Sequence, residues 1–559
     1  MTDYPQPCLT CDGQTLKALA DAGRRWLEQH VQRVNDLNVF PVPDGDTGTN
    51  MLLTMNNAYG EVADDMSPSA AHIAARLAHG AIMGSRGNSG TIMSQIWVGF
   101  AEGIQEYDAF DLPGGVAGLR NAATRAYQGV QNPVEGTILT VIREIAEEAE
   151  AMQTETADMI DLLERIVTRG WDAVARTPDM LPVLREANVQ DSGGTGLVYV
   201  FEGMLRYLRG ESFEVVPSVD ESFAQAMVQL HTAQPDLEML ANEQYNYDVQ
   251  FIIRGEGLNI AQIKTDIEAM GDSGVIVGSE TTVKVHIHVD DPSQPLAYGV
   301  RLGALDDVVV ENMQLQYEAL LAARGQREDD IEVTLQPIKP GEIGVIAVAP
   351  GRGLARVLAD LGAAQIIDGG QTNNPSTEEI LAAAQALPTD MVFILPNNKN
   401  IILAAEQAAR MSDGQTLRVL PTRTFPQGVA AMVAYQPDAN PDMVFEDMDD
   451  AKDGVVTCEV TTATRSVELD GVAVRDGQII GLIDGQLRHA ADDTLSVLFT
   501  LLEALDLDDY ELVTIYYGAE VSRQQANEVL EQLSARYGAL DFEPVYGGQP
   551  HYQYILSIE

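Results

Sequence analysis

The chain has 559 residues, 45% of them hydrophobic, so it is long enough to form several packed domains. Its 84 acidic and 34 basic side chains give a formal net charge of −50, which would repel nucleic acid and anionic membrane surfaces. No run approaches the roughly 18 consecutive apolar residues of a membrane span. The N-terminus lacks the basic start and apolar core of a secretory signal. We therefore expect a cytoplasmic protein that binds no nucleic acid.

From about residue 14 to residue 207, apolar residues recur at the i, i+3, i+4 spacing of amphipathic helices. The repeat is clearest at Leu16, Leu19, Leu27, Val31, Ile73, Leu77, Ile138, Ile142, Ile145, Ile160, Leu163 and Ile166. Comparable strand alternation is absent from this part of the sequence. The pattern predicts an all-helical domain over residues 1–210.

Strand patterns begin after a break in the helical repeat between Gly210 and Pro217. We predict strands over residues 247–253, 274–277 and 281–289 and a helix over about 259–270, which together indicate a small α/β middle domain over 211–330. Two buried-looking strands, residues 343–348 and 391–395, are each followed by a helical pattern. This alternation predicts a doubly wound α/β domain over residues 340–559.

The segment from Asn38 to Asn50, here called loop 38–50, differs from a simple core helix. It contains prolines, glycines and the carboxylates Asp44 and Asp46, which are close enough in sequence to converge on a hard cation such as Mg²⁺. A calcium EF-hand is excluded because Met55 would occupy the position of the bidentate glutamate. An Asp-Gly turn that caps a helix is the structural alternative.

Three further glycine-containing turns precede helical patterns: residues 84–90, 135–137 and 191–196. Amide groups at a helix start suit phosphate oxygens, although none of these turns carries the lysine of a Walker A loop. One such turn is weak as an indication of function. Four segments in one helical domain, one of them doubly acidic, favour a nucleotide–metal site.

A His-x-His pair lies in the predicted strand 281–289 of the middle domain. Strand alternation puts His286 and His288 on one face, an arrangement that suits a metal or an anion. Two half-exposed strand histidines without a ligand are the alternative.

The runs NVFPVPDGDTGTNM, GSRGNSGTIMSQ, EGTILTVIRE and DSGGTGLVYVFEG resemble the DhaL-type ATP-binding domain of dihydroxyacetone kinases. They are still more similar to the catalytic subunit of bacterial fatty acid kinase. The similarity extends over nearly the whole chain, including LPNNKNI at residues 395–401. It implies a multidomain fold: an all-α DhaL-type helical barrel, a small α/β middle domain and a DegV-like α/β C-terminal domain.

The resemblance also implies roles for individual residues. Asp44 and Asp46 would hold two Mg²⁺ ions against the ATP phosphates, and Asn38 stands where a third ligand is expected. The residues implied to contact the nucleotide or act in catalysis are Thr47, Gly48, Thr49, Asn50, Ser85, Gly87, Asn88, Ser89, Gly90, Thr137, Asp191, Gly193 and Gly194. Zinc would be bound by Asp248, His286 and His288, with Asp248 at a position that is cysteine in the family, and the two histidines are also catalytic candidates.

The implied reaction transfers the γ-phosphoryl group of ATP to a fatty acid carboxylate, giving an acyl phosphate for phospholipid synthesis. A separate DegV-type fatty acid-binding subunit would deliver the acid and dock on the C-terminal domain, and the kinase would be a homodimer. The carboxylate acceptor is already ionised near pH 7, so no general base is required. A dihydroxyacetone-type small-molecule kinase and a non-catalytic nucleotide-binding scaffold are the alternatives.

Overall fold

The structure, a computed structural model, describes residues 8–38, 45–211, 247–312 and 331–559, apart from residues 131, 154, 188, 256, 279–281 and 332. The chain divides into two compact units, one formed by residues 1–211 with 331–559 and the other by residues 212–330. Among the described residues, no helix combines the length and apolar character needed to cross a membrane.

The described part of the N-terminal region is built from helices, as predicted. They are α1 (Gly13–Asp36), α2 (Thr47–Gly60), α3 (Ala70–Met83), α4 (Gly87–Gly103), α5 (Leu112–Gln128), α6 (Ile138–Met152), α7 (Met159–Met180), α8 (Pro182–Glu186) and α9 (Ser192–Leu208). Each long helix packs against the next, and α9 returns to α1, so the helices close a ring. Apolar stripes face the interior, where Leu27, Ile73 and Ile142 are fully buried. The predicted helical barrel is confirmed.

One detail departs from an all-helical domain. Two short strands, β1 (Cys11–Asp12) and β2 (Ala109–Phe110), pair antiparallel. Each leads into a helix whose first turn is capped by an aspartate: Asp12 accepts from the amide of Thr15, and Asp111 from the amide of Gly114. The two extended lead-ins lie side by side, and two residues are too few to produce an alternating sequence pattern.

The described part of the middle unit, residues 247–312, contains a four-stranded antiparallel sheet and two helices. Its elements are β3 (Tyr247–Arg254), α10 (Ile260–Glu268), β4 (Asp272–Gly278), β5 (Thr282–Val289), α11 (Ser293–Leu302) and β6 (Ala304–Asn312). The strand order is β4-β5-β3-β6, which with the βαββαβ sequence gives a ferredoxin-like arrangement. Val249, Phe251, Val285 and Ile287 pack in its core.

A parallel sheet forms the first half of the C-terminal domain. Its strands are β7 (Ile343–Ala349), β8 (Gln365–Asp368), β9 (Met391–Leu395) and β10 (Thr416–Val419), in the order β10-β9-β7-β8, and its helices are α12 (Arg352–Asp360), α13 (Thr377–Gln385), α14 (Ile402–Met411), α15 (Phe425–Val433) and α16 (Pro441–Lys452). Alternate residues of β7 feed separate cores: Val345 packs with α12, and Ile346 packs with α13 and α14. The sheet is therefore covered on both faces, which confirms the doubly wound prediction.

The second half of this domain contains a six-stranded sheet in the order β15-β14-β11-β18-β16-β17. The strands and helices of this half are β11 (Val456–Thr462), the separate hairpin strands β12 (Val467–Leu469) and β13 (Val472–Val474), β14 (Ile479–Ile483), β15 (Gln486–Ala491), α17 (Thr494–Glu503), a 3₁₀ turn (Leu507–Asp509), β16 (Leu512–Tyr517), α18 (Arg523–Arg536), β17 (Asp541–Tyr546) and β18 (Tyr552–Ile558). Only β16 and β17 pair parallel; the remaining neighbours are antiparallel.

Candidate functional site

The starts of α2, α4 and α9 meet at one end of the helical ring. Ser192 at the start of α9 donates a hydrogen bond to the hydroxyl of Thr47 at the start of α2, with 3.3 Å between the oxygens. Gly87 opens α4 with φ of +57°, and a Cβ there would lie 2.7 Å from Nδ2 of Asn50. Glycine thus permits turn 84–90 to approach α2 closely. The structure therefore brings turn 84–90 and turn 191–196 to the described end of loop 38–50, at Thr47 and Asn50.

The proposed metal carboxylates are described only in part. Asp44 lies outside the described residues. Asn38 is half-buried just beyond the end of α1, and its amide donates to the backbone oxygen of Asn35. Asp46 immediately precedes α2, but its carboxylate does not cap that helix. Oδ2 of Asp46 instead accepts a hydrogen bond of 2.7 Å from Nδ2 of Asn374 in the C-terminal domain.

Asn35 performs the capping that sequence position alone would assign to Asp46. Its Oδ1 accepts from the amides of Gly48, at 2.7 Å, and Thr49, at 3.2 Å, while its Nδ2 donates to the hydroxyl of Thr49. Gly48 fits here because a Cβ would lie 2.6 Å from the backbone oxygen of Val31. Asn35, not the carboxylate of Asp46, therefore caps the first-turn amides of Gly48 and Thr49.

The start of α4 is arranged differently. No side chain in the described part of the chain caps this helix, so its first-turn amides suit an anion. Asn88 and Ser89 are half-buried at this start. Nδ2 of Asn88 donates to Oδ1 of Asn400 at 3.4 Å, but its own Oδ1 is buried without a hydrogen-bond partner among the described residues. Gly90 continues the close packing, since a Cβ there would lie 2.5 Å from the hydroxyl of Thr54.

Turn 191–196 is organised around Asp191. Its Oδ2 accepts a hydrogen bond of 2.6 Å from the amide of Gly194, and the carboxylate also accepts from the amide of Ile138 at the start of α6. Burial raises the pKa of Asp191 from 3.8 to about 6, against these two bonds, which lower it. Gly193 and Gly194 are buried against α6. Asp191 thus links the starts of α6 and α9.

Turn 135–137 lies beside turn 191–196. Thr137 caps α6, its Oγ1 accepting from the amide of Leu139 at 3.4 Å. Glu135 accepts from the hydroxyls of Tyr127 and Thr140, and hydrogen bonding to Thr140 is the main reason its pKa falls below the usual range. The carboxylate of Glu135 therefore already has hydrogen-bond partners within the helical domain.

The C-terminal domain closes one side of this region, which the sequence does not indicate. Ser85 is fully buried, and its hydroxyl lies 3.0 Å from that of Thr377. Arg86 pairs with Glu379 at 3.0 Å and also donates to the backbone oxygen of Asn374. Ser85, predicted as a nucleotide contact, therefore lies in a contact between domains.

The sequence did not predict two residues of this region, Asn35 and Asn374, as part of the site. Asn35 lies in the polar last turns of α1, where an asparagine is unremarkable. Asn374 is 328 residues from Asp46. The one local signal near it is the capping box that Ser376 and Glu379 form at the start of α13.

The middle unit places the predicted zinc set on neighbouring strands. In the β3–β5 ladder, Asp248 pairs with His288 and Gln250 with His286, so Asp248 and both histidines occupy one face of the sheet by register. His288 is half-buried. The side chains of Asp248 and His286 lie outside what the structure describes, so the zinc set stays a prediction.

The donor set beside α2 and α4 fits magnesium. The described residues hold no cluster of three His, Cys, Asp or Glu side chains, which excludes an all-carboxylate cage within them. Magnesium needs fewer protein ligands, because phosphate oxygens and water complete its shell. One carboxylate, Asp46, and two buried amide oxygens without partners, those of Asn88 and Asn374, are oxygen donors of the required type.

Comparisons with known proteins define the class. Residues 41–206 match the DAK2 domain, and residues 244–320 and 344–559 match the FakA-like middle and C-terminal domains of fatty acid kinases. The chain is thus a DAK2 kinase-family domain joined to FakA-like middle and C-terminal domains. Protein YloV of Bacillus subtilis is 35% identical over 557 residues, covering 98% of this chain and 99% of that protein. The chain belongs to the FakA-like fatty acid kinase family.

Two solved structures match parts of the chain at low similarity. The DegV family protein Cg2579 from Corynebacterium glutamicum is 18% identical, with 39% of this chain and 96% of that chain covered and a TM-score of 0.30. The dihydroxyacetone kinase from C. freundii, solved with AMP-PNP and Mg²⁺, is 16% identical, with 36% of this chain and 35% of that chain covered and a TM-score of 0.28.

Proposed function

We propose that this protein transfers the γ-phosphoryl group of ATP to the carboxylate of a fatty acid, which a separate DegV-type fatty acid-binding subunit presents, and so forms an acyl phosphate. The observation that carries this proposal is the pairing of a non-capping carboxylate, Asp46, with the uncapped start of α4 at one end of the ring. Family membership supports the choice of acceptor.

Each residue has a defined task in this proposal. Asp46, with Asp44 and Asn38, would hold two Mg²⁺ ions, and the amides at the start of α4 would bind phosphate oxygens beside Asn50 and Asn88. Bound magnesium neutralises charge on the triphosphate and on the incoming carboxylate. The chain's own contribution is to position the anions, which a net charge of −50 would otherwise repel.

The histidines of the helical domain agree with a reaction that needs no general base. His30 stacks on Tyr199 with ring centroids 4.1 Å apart. His72 lies 2.8 Å from the carboxylate of Asp65, and His79 lies 3.4 Å from that of Glu61, both on the surface. These contacts hold the three histidines in packing or surface pairs, which is consistent with an acceptor that is already ionised.

The remaining parts of the proposal concern assembly. The C-terminal domain would dock the fatty acid-binding subunit, and the kinase would act as a homodimer in the cytoplasm. Asp248, His286 and His288 would bind zinc in the middle domain, with the two histidines as further catalytic candidates. Metal analysis of the purified protein tests this last point, because His288→Ala should lower the zinc content if the three residues form a site.

One assay tests the reaction. The full chain is incubated with ATP and Mg²⁺ and either oleate on a DegV-type carrier or dihydroxyacetone alone, and ADP release is followed. Turnover only with the loaded carrier supports the proposal. Turnover with dihydroxyacetone alone indicates a small-molecule kinase, and tight ATP binding without turnover indicates a scaffold.

Asp46→Asn should abolish turnover, because an amide cannot supply the negative charge that holds magnesium. The far-UV circular dichroism spectrum should not change, since Asn35, not Asp46, caps α2. Asp64→Asn is the matched control, because it removes an exposed carboxylate elsewhere in the same domain. Full activity in Asp46→Asn would remove Asp46 from the metal site.

A further inference from the structure

The loop between β8 and α13 carries Asn374 from the C-terminal domain to the helical ring. Asn374 is 2% exposed, and its Nδ2 donates to Oδ2 of Asp46 at 2.7 Å. Its backbone oxygen accepts from Nη1 of Arg86 at 2.9 Å. The neighbouring capping box of Ser376 and Glu379 fixes the start of α13. Asn374 is thus held from both domains, so its amide meets Asp46 in a defined orientation.

The other end of the same amide is an unusual buried atom. Oδ1 of Asn374 is buried and has no hydrogen-bond partner in the described part of the chain. Buried polar atoms in folded proteins almost always have a partner. This oxygen belongs to the same amide group whose nitrogen donates to Asp46, a carboxylate that fits magnesium. A water molecule in the shell of a metal ion held by Asp46 would supply the missing donor.

We propose that Asn374 is a positioning residue for the magnesium–nucleotide site, so that the site is built from two domains of the chain. The hydrogen bond from its Nδ2 would hold the Asp46 carboxylate in an orientation suited to the metal, and its Oδ1 would accept from metal-bound water. Hydrogen bonds to ligating carboxylates act in this way in metalloproteins. The inference rests on the proposed function only in taking Asp46 as a magnesium ligand, and it is independent of the phosphoryl acceptor.

A purely structural role is the competing explanation, because Asn374 also joins two domains. Gln407 offers a matched comparison: it joins the same two domains at another place, where α14 meets α4, by accepting a hydrogen bond from Nε2 of Gln95. It is similarly buried, at 8% exposed, but its hydrogen bond goes to Gln95 and not to Asp46. If Asn374 served only to join the domains, Asn374→Ala and Gln407→Ala should have similar effects.

The test uses the full chain and a non-hydrolysable ATP analogue, with binding measured by calorimetry over a series of Mg²⁺ concentrations. Asn374→Ala should raise the Mg²⁺ concentration for half-maximal binding by about tenfold, the lower end of the effect known for such supporting residues. Gln407→Ala should leave it within about twofold of wild type. Equal curves for wild type and Asn374→Ala, or equal shifts in both variants, would overturn the inference. Absence of magnesium-dependent binding in the wild type would overturn the proposed metal site itself.

Asn374→Asp keeps the inference testable if the alanine variant folds poorly. It places a second carboxylate against Asp46, so the melting temperature should fall in EDTA through repulsion. Magnesium without nucleotide should restore it, because the two carboxylates would then share a cation. A fall in melting temperature that magnesium does not reverse would show that Asn374 lies outside the reach of the metal.

Discussion

The pH dependence of stability offers a sharp test of how turn 191–196 is built. Burial raises the pKa of Asp191 from 3.8 to about 6. Between these values the folded chain binds more protons than the unfolded chain, so the stability contributed at this position falls as pH rises from about 4 to 6 and stays low above that. Two pKa units correspond to at most about 3 kcal/mol. The Asp191 side chain is partly exposed to solvent, and screening by that solvent should reduce the free-energy difference to about 1–2 kcal/mol.

Asp191→Asn keeps an acceptor oxygen for the amide of Gly194 and removes the buried charge. We expect it to exceed wild-type stability by about 1–2 kcal/mol at pH 8 and by less at pH 5, where most of the folded chain still carries the proton on Asp191. Asp191→Ala loses the acceptor as well and should be less stable than Asp191→Asn at every pH by about 1 kcal/mol.

Urea unfolding at pH 5 to 8 measures these differences. The chain has three tryptophans, Trp26, Trp97 and Trp171, and all lie in the helical domain, so their fluorescence reports that domain alone. The pH range stays above the sequence pI of about 4.2, where precipitation would interfere. Parallel stability curves for wild type and Asp191→Asn across this range would refute the reasoning.

Two further substitutions test the local architecture with the same fluorescence assay. Asn35→Ala removes the acceptor for two first-turn amides of α2 and should cost about 1–2 kcal/mol, whereas Asn35→Asp, which keeps that acceptor, should cost less; equal losses would contradict the capping role. Gly87→Ala introduces a side chain at φ of +57° and 2.7 Å from Asn50, so we expect a loss of about 1–3 kcal/mol. Gly60→Ala, which meets nothing within 4 Å at the end of α2, is its control and should be neutral.

The sequence predicted the long elements well, because their period is repeated many times. The helical stripe through Leu16, Leu19 and Leu27 corresponds to α1, and the apolar runs at 343–348 and 391–395 correspond to β7 and β9. Elements with little or ambiguous pattern were missed: β8 and β10 have four residues each and pair with only one neighbour. The edge strand β6 was also missed, since Val308 and Val310 are exposed and give no alternation of buried and polar residues.

The candidate site divides in a similar way between local and distant information. Turn-forming residues identified all four glycine-containing segments as lead-ins to helices, because glycine and aspartate near a helix start form a signal only a few residues long. Whether a helix start is capped depends on which side chain reaches it, and that side chain can come from another element. Asn35 supplies the cap of α2 from the end of α1, thirteen residues before Gly48. Local sequence therefore could not distinguish the capped start of α2 from the uncapped start of α4.

The role of Asp46 likewise depends on residues that are distant in the sequence. Its position before α2 is that of an N-cap, and an Asp-Gly turn that caps a helix was a sound alternative from the sequence. In the structure the carboxylate of Asp46 does not cap α2: Asn35 binds the helix amides, and Asn374 binds the carboxylate from the other domain. The chemistry of Asp46 is thus decided by residues that its own loop does not contain, and only the folded chain brings them together.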